Sequence, residues 1–149
     1  MKLHKLLGLN RIFIDVDGKS KKHILEKASK SLAETIADGD YKLYLERFFA
    51  REKLGDTTTG KGIAVPSICC EQIESPLAVY LQLKKATDFS DGLFPPVDIV
   101  FALAFPDKNN EENCKLLHDI ILRLSNDEFC HQLRAASTKI DIYKIFSEK

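Results

Sequence analysis

Arg51-Glu52-Lys53-Leu54-Gly55-Asp56-Thr57-Thr58-Thr59-Gly60-Lys61-Gly62-Ile63-Ala64-Val65-Pro66-Ser67 is the stretch on which the rest of the sequence turns. It reads as the end of a helix, a loop rich in Gly and Thr, and a short apolar strand over Ile63 to Val65 stopped by Pro66. Thr57, Thr58 and Thr59 supply three consecutive hydroxyls. Gly60 and Gly62 let backbone N–H groups turn toward one point, and such a concavity suits an anion such as phosphate. Ser67, just past the proline, is expected beside it.

Upstream, Arg11 to Val16 alternates loosely around Ile12, Phe13, Ile14 and Val16 and reads as a strand. Asp17-Gly18 turns the chain, and Ser20 caps a helix running to about Ala37. Ile24 or Leu25, Ala28, Leu32 and Ile36 share one face of it. Gly39 ends that helix. Asp40 caps a second one in which Leu45, Phe48 and Phe49 point inward, with Gly55 as its stop. His23 falls on the polar side of the first helix and reads as a solvated surface residue.

Downstream, Ser75 to Leu83 places Leu77, Val79, Leu81 and Leu83 in period-two alternation, a strand with one buried face. Asp88 to Pro96 is a polar loop holding Phe89 and Phe94. Val97 to Phe105 is almost continuously apolar, as a central strand covered on both sides should be. From Asn110 the period is helical, marked by Cys114, Leu117, Ile120 or Ile121, and Leu124. Asn126 or Asp127 caps a helix carrying Phe129, Cys130 and Leu133. Ser137 or Thr138 begins a last one with Ile142, Ile145 and Phe146. The order β-α-α-β-β-β-α-α-α implies an α/β fold with one mixed β-sheet and helices on both faces.

At 149 residues the chain is expected to form one domain, 1–149. Lys+Arg and Asp+Glu both number 22, so no global charge favours nucleic acid or an anionic membrane. Lys19, Lys21, Lys22 and Lys27 read as a solvated helix face. Met1 to Leu9 is too short and too polar for a signal segment, and no stretch has the length of a membrane span. A cytoplasmic location is the expectation. Cys69 and Cys70 are adjacent, a poor geometry for an ordinary disulfide, and Cys114 and Cys130 fall on apolar helix faces. Buried free thiols are the expected state. His4, His23, His118 and His131 are scattered with no ligand spacing, so neither metal nor organic cofactor is expected.

The opening stretch resembles the active-site segment of the enzyme IIA domains of the fructose–mannitol class in the sugar phosphotransferase system, nearest to their nitrogen-regulatory branch. The family pattern is Arg-Glu-Lys, a Gly/Ser/Thr loop, Gly-x-Gly-x-Ala-x-Pro, then a histidine that accepts a phosphoryl group from the carrier protein HPr. Arg51, Glu52, Lys53, Gly60, Gly62, Ala64 and Pro66 match it without a gap. Phe-Ala-Arg-Glu-Lys from Phe49, Pro-Val-Asp-Ile-Val-Phe from Pro96 and Leu-Arg-Ala-Ala from Leu133 extend the resemblance over essentially the whole chain. It implies a three-layer α/β/α sandwich.

The resemblance also assigns the site. Ser67 stands at the position of the phosphoacceptor histidine. Arg51, sixteen positions earlier (67 − 51), is the assisting arginine. Counting back without gaps from Leu133 puts Asn113 at the family's second histidine, with Lys115 in the neighbouring register. His118 lies one turn on, roughly 5 Å along a helix axis, and is not expected to replace it. His131 has no motif support. Thr57, Thr58, Thr59, Gly60 and Gly62 would form the anion loop, and Ser67 should lie accessible in a shallow depression made by that loop, Arg51 and the helix bearing Asn113.

Imidazole is a nucleophile near neutral pH and passes a phosphoryl group onward readily, whereas a serine hydroxyl is weak unless an adjacent base activates it. The implied function is therefore a regulatory, protein-binding paralogue with a pseudo-active site and no histidine phosphotransfer. Two alternatives stay open: a phosphocarrier that accepts the group on Ser67 or another residue, and a IIA-like fold that binds a small anionic ligand. The partners implied are an HPr-like carrier or a regulated transporter or enzyme.

Overall fold

The computed structural model describes residues 3–106 and 111–148. Two short 3-10 turns, Leu3–Leu6 and Leu9–Arg11, lead into β1 (Ile12–Val16), then α1 (Lys21–Thr35) and α2 (Tyr41–Leu54). Four strands follow: β2 (Ile63–Ala64), β3 (Ser67–Cys69), β4 (Leu77–Thr87) and β5 (Val97–Phe105). The chain ends in α3 (Glu111–Leu124), α4 (Asp127–Ala135) and α5 (Lys139–Ser147). Helix starts are set locally. The side chains of Ser20, Asp40, Asn126 and Thr138 accept hydrogen bonds from the N–H groups of His23, Leu43, Phe129 and Asp141. Each such cap is worth about 1 kcal/mol.

The sheet runs β1-β4-β5-β2, with β3 also on β5. Only β4 and β5 are antiparallel to each other; the remaining pairs are parallel. Ile63 pairs with Ile99 and Ser67 with Leu103, so β2 and β3 are successive parts of one edge strand. Pro66 lies between them with no N–H to donate, which interrupts the ladder, but its carbonyl still accepts the Leu103 N–H at 2.9 Å. The apolar run therefore does not stop at Pro66. It resumes as a strand carrying Ser67, and the order gains one strand over the expected one.

Helices cover both faces. One core joins Ile12, Tyr80, Phe101, Ile120, Leu133 and Phe146 between the sheet and α3 to α5. The other joins Ile24, Leu32, Tyr44, Phe48, Leu81 and Val100 between the sheet and α1 and α2. β4 has two buried faces instead of one: Ala78 and Tyr80 enter the first core while Val79 and Leu81 enter the second. Its place between β1 and β5 makes it an interior strand.

α3 buries Leu116, Ile120 and Leu124, a strict four-residue row. Cys114 lies off that row and is exposed, contrary to the expected burial; Cys70 and Cys130 are buried and Cys69 is half-buried. In α2 the fully buried pair is Tyr44 and Phe48, with Leu45 and Phe49 only packed against them. The expected helix start at Asn110 lies outside the described residues. No helix among the described residues is long and apolar enough to cross a membrane. Among them, too, no group of three or more His, Cys, Asp or Glu side chains could hold a metal ion.

Candidate functional site

The last turns of α2 carry Arg51 and Glu52 to the sheet edge. The Glu52 side chain is only 5% exposed. Its Oε1 lies 2.6 Å from Lys21 Nζ, and its Oε2 accepts the Thr57 hydroxyl at 2.7 Å. A buried carboxylate is costly unless paired and hydrogen-bonded, and this one is both. Lys21 in turn donates to the Phe89 carbonyl at 2.8 Å, which draws the β4–β5 loop onto the same anchor. Sequence spacing gave Glu52 only a place in a motif, because its cation comes from the start of α1.

The Thr/Gly segment is a tight hairpin. Val65 N–H donates to the Thr57 carbonyl and Thr59 N–H to the Ile63 carbonyl, with Thr58 bridged to Ala64 between them. The Thr58 and Thr59 hydroxyls are buried. At the tip, Gly60 and Gly62 have φ of 86° and 81°. Arg134 grips that tip: its guanidinium donates to both Asp98 oxygens, at 2.8 and 2.9 Å, and to the Lys61 carbonyl at 2.8 Å. The Asp98 hydrogen bonds raise the Arg134 pKa above its ordinary value. Lys61 reaches the Ser125 carbonyl and Asp127 at the head of α4. The pieces Pro-Val-Asp-Ile-Val-Phe and Leu-Arg-Ala-Ala thus meet at the hairpin through Asp98 and Arg134.

A Cβ on Gly62 would stand 2.9 Å from Arg134 Nη2 and 3.3 Å from Asp98 Oδ1. Gly62→Ala should therefore cost about 2 kcal/mol, from left-handed strain plus a displaced fork. Gly60→Ala, with only Phe94 at 3.8 Å, should cost less. Chemical denaturation of the two variants checks this ranking; equal stabilities would contradict the clamp.

Ser67 faces elsewhere. The Gly62 carbonyl bonds to Asp98 N–H, whereas Ser67 pairs with Leu103. Five residues of β5 (103 − 98) separate them, roughly 16 Å along a strand. Ser67 is half-buried on the wall of an open depression of about 580 Å³. α2 contributes Arg47, Ala50, Arg51 and Leu54 to that wall; β3 contributes Ile68 and Cys69, and β5 contributes Phe105. Leu54 is 85% exposed. Arg47 donates to the Cys69 carbonyl at 2.6 Å and to Glu71 at 3.2 Å. Arg51 donates to the Gly55 carbonyl at 2.9 Å.

The structure thus brings Ser67 and Arg51 into one cavity. Asn113 is half-buried on the first turn of α3 and is not part of the wall, nor is the hairpin Thr57 to Gly62. His118 and His131 are exposed on α3 and α4 and do not line it either. Leu54, Ile68, Phe105 and Ala50 give the cavity an apolar floor, and the two arginines give it a positive rim. Sequence reasoning missed Arg47 and Leu54; their spacing of three to four residues from Arg51 along α2 was the available signal.

With this geometry in hand, the chain can be set beside known proteins. The family described as "Phosphoenolpyruvate-dependent sugar phosphotransferase system, EIIA 2" matches residues 5–149. The nitrogen regulatory protein of Pseudomonas aeruginosa is 34% identical over 145 residues, which is 97% of this chain and 94% of that one. The crystal structure of the nitrogen regulatory protein IIA-Ntr from Neisseria meningitidis shares the fold with a TM-score of 0.89, at 24% identity over 97% of this chain and 98% of its own. Enzyme IIA-mannitol of Escherichia coli, solved in complex with phosphorylated enzyme IIB-mannitol, gives 0.78 at 18% identity over 97% and 100%.

Proposed function

The chain belongs to the EIIA 2 family of the phosphoenolpyruvate-dependent sugar phosphotransferase system, and from that premise we propose that it is a nitrogen-regulatory IIA-like protein that acts by binding other proteins. On this reading Ser67 stands where the family's phosphoacceptor histidine stands, Asn113 stands at the second histidine, and the chain carries out no histidine phosphotransfer. Its partners are an HPr-like carrier, a IIB-like protein or a regulated transporter or enzyme, met in the cytoplasm.

The observation that carries the reading is the composition of the wall around Ser67. An apolar floor of Leu54, Ile68 and Phe105 flanked by Arg47 and Arg51 has the make-up of a protein docking surface, where apolar groups fill the centre and arginine is enriched. Among the described residues no carboxylate or imidazole lines the depression beside Ser67, and a serine hydroxyl without an adjacent base is a weak nucleophile. Arg51 keeps most of its five N–H donors for a partner's anionic group. The hairpin clamped by Arg134 and the Glu52 anchor hold the end of α2 and β3 in place, so the surface is preorganised.

Leu54→Asp tests it. Leu54 is so exposed that its replacement should leave the unfolding midpoint nearly unchanged. Calorimetric titration with the HPr-like carrier should nevertheless weaken about tenfold or more, since 1.4 kcal/mol of lost apolar contact is a factor of ten. An unchanged affinity would remove the docking surface from the account.

A further inference from the structure

We infer a second docking surface on the opposite helical layer, a groove across α3, α4 and α5 that fits a basic amphipathic helix of a partner protein. Two adjoining depressions of about 530 and 450 Å³ share Gln132, Ile145 and Glu148 in their walls and so form one continuous groove. Its floor is apolar: Leu122 is 58% exposed, with Phe129 and the partly buried Ile145 beside it. The Arg123 guanidinium lies 4.9 Å from the Phe129 ring and donates to the Glu148 carbonyl, so its stem and plane form part of that floor.

The rim decides the occupant. Among the described residues Asp119, Glu128, Asp141 and Glu148 line the groove with Arg123 and Lys144, four carboxylates to two cations. None of the four is in an ion pair among the described residues, whereas Glu52, Glu71, Asp98 and Asp127 elsewhere all are. The depression around Ser67 has the reverse composition, two arginines and no carboxylate among the described residues. The two apolar-floored depressions, in different layers, thus carry charged linings of opposite balance. Complementary charge at a rim steers encounter and rejects wrong partners.

An acidic groove selects a basic partner, and its walls select the partner's shape. All three walls are helices, and the free sheet edges, β1 and the β2–β3 strand, lie outside the groove, so strand addition has nothing to pair with. A helix laid in the groove can instead set apolar anchors at i, i+3, i+4 and i+7 on Leu122, Phe129 and Ile145, with lysine or arginine toward the carboxylates.

The test uses a designed peptide of about 18 residues with leucine at those spacings and lysine elsewhere, and a twin with glutamate in place of lysine. Titrated into the isotope-labelled full chain, the lysine peptide should shift the amide signals around Leu122, Phe129 and Ile145. Binding should weaken about tenfold in the Asp119→Lys/Glu148→Lys variant and weaken as salt rises. Both substitutions fall where lysine is tolerated, mid-helix and at a helix C-terminus, and a dispersed amide spectrum confirms that the variant folds. The glutamate twin should not bind. Absence of lysine-peptide binding, shifts centred on Ser67 and Arg51, equal binding of the two peptides, or an unchanged affinity in the charge-reversed variant would each overturn the proposal.

Discussion

Phe146→Ala should remove about 3 to 5 kcal/mol of folding stability. Phe146 is 1% exposed, and its ring lies 5.7 Å from Tyr80 and 5.3 Å from both Phe101 and Phe129. It therefore ties α5 to β4, β5 and α4 at once. A helix of nine residues has little stability of its own, so α5 depends on that anchor. Against a total of about 5 to 15 kcal/mol, such a loss takes the chain close to unfolding. In urea the midpoint should fall steeply with the slope unchanged, the signature of lost stability without a changed denatured state. A midpoint near that of the wild type would mean that the aromatic cluster is not the keystone of the α3–α5 layer.

On the proposed reading the wild-type chain should take no acid-labile phosphate, and Ser67→His should take some. Ser67 is half-exposed on the wall of a cavity of about 580 Å³, open enough for an imidazole, with Arg51 in the same wall. Phosphoryl transfer asks mainly for positioning and neutralised charge, both of which the surrounding residues offer. The yield should stay below that of a complete site, because Asn113 supplies no second imidazole. Labelling is followed with phosphoenolpyruvate, enzyme I and HPr, reading the phosphate that acid removes and alkali leaves. A silent Ser67→His chain would mean that the carrier does not dock at this surface in a transfer geometry.

What the sequence made legible was local. Ser20, Asp40, Asn126 and Thr138 cap helices through contacts three residues away, so spacing alone finds them. Val97–Phe105 announces itself as an unbroken apolar run, and the motif from Arg51 to Pro66 carries the family. What it hid was tertiary. A three-residue strand after Pro66 has too few positions to show a period, so β3 read as the end of an element. Tyr80 is buried because the α3–α5 layer covers its face of β4, a fact of tertiary packing, not of alternation. Cys114 sits two positions before Leu116 (116 − 114), off the Leu116–Ile120–Leu124 row once α3 packs.

The site divides in the same way. Ser67 is five residues from Gly62 in an edge strand that runs in parallel register along β5, so its extended length alone carries Ser67 roughly 16 Å from the glycine tip beside Asp98. The Arg134–Asp98 fork spans 36 residues and the Lys21–Glu52 pair spans 31 (52 − 21), so neither leaves a trace in local spacing. Arg51 and Ser67, by contrast, line one depression, and the resemblance to the family motif is what pairs them in the sequence.

One measurement bears most directly on the account: mass spectrometry of the wild-type chain after incubation with phosphoenolpyruvate, enzyme I and the HPr-like carrier, with the products split into acid-labile and alkali-labile fractions. The account predicts no acid-labile, alkali-stable phosphate on any residue, and a parallel incubation of the Ser67→His chain that shows some. Acid-labile phosphate on the wild type, mapped to His118, His131 or another histidine, would contradict it.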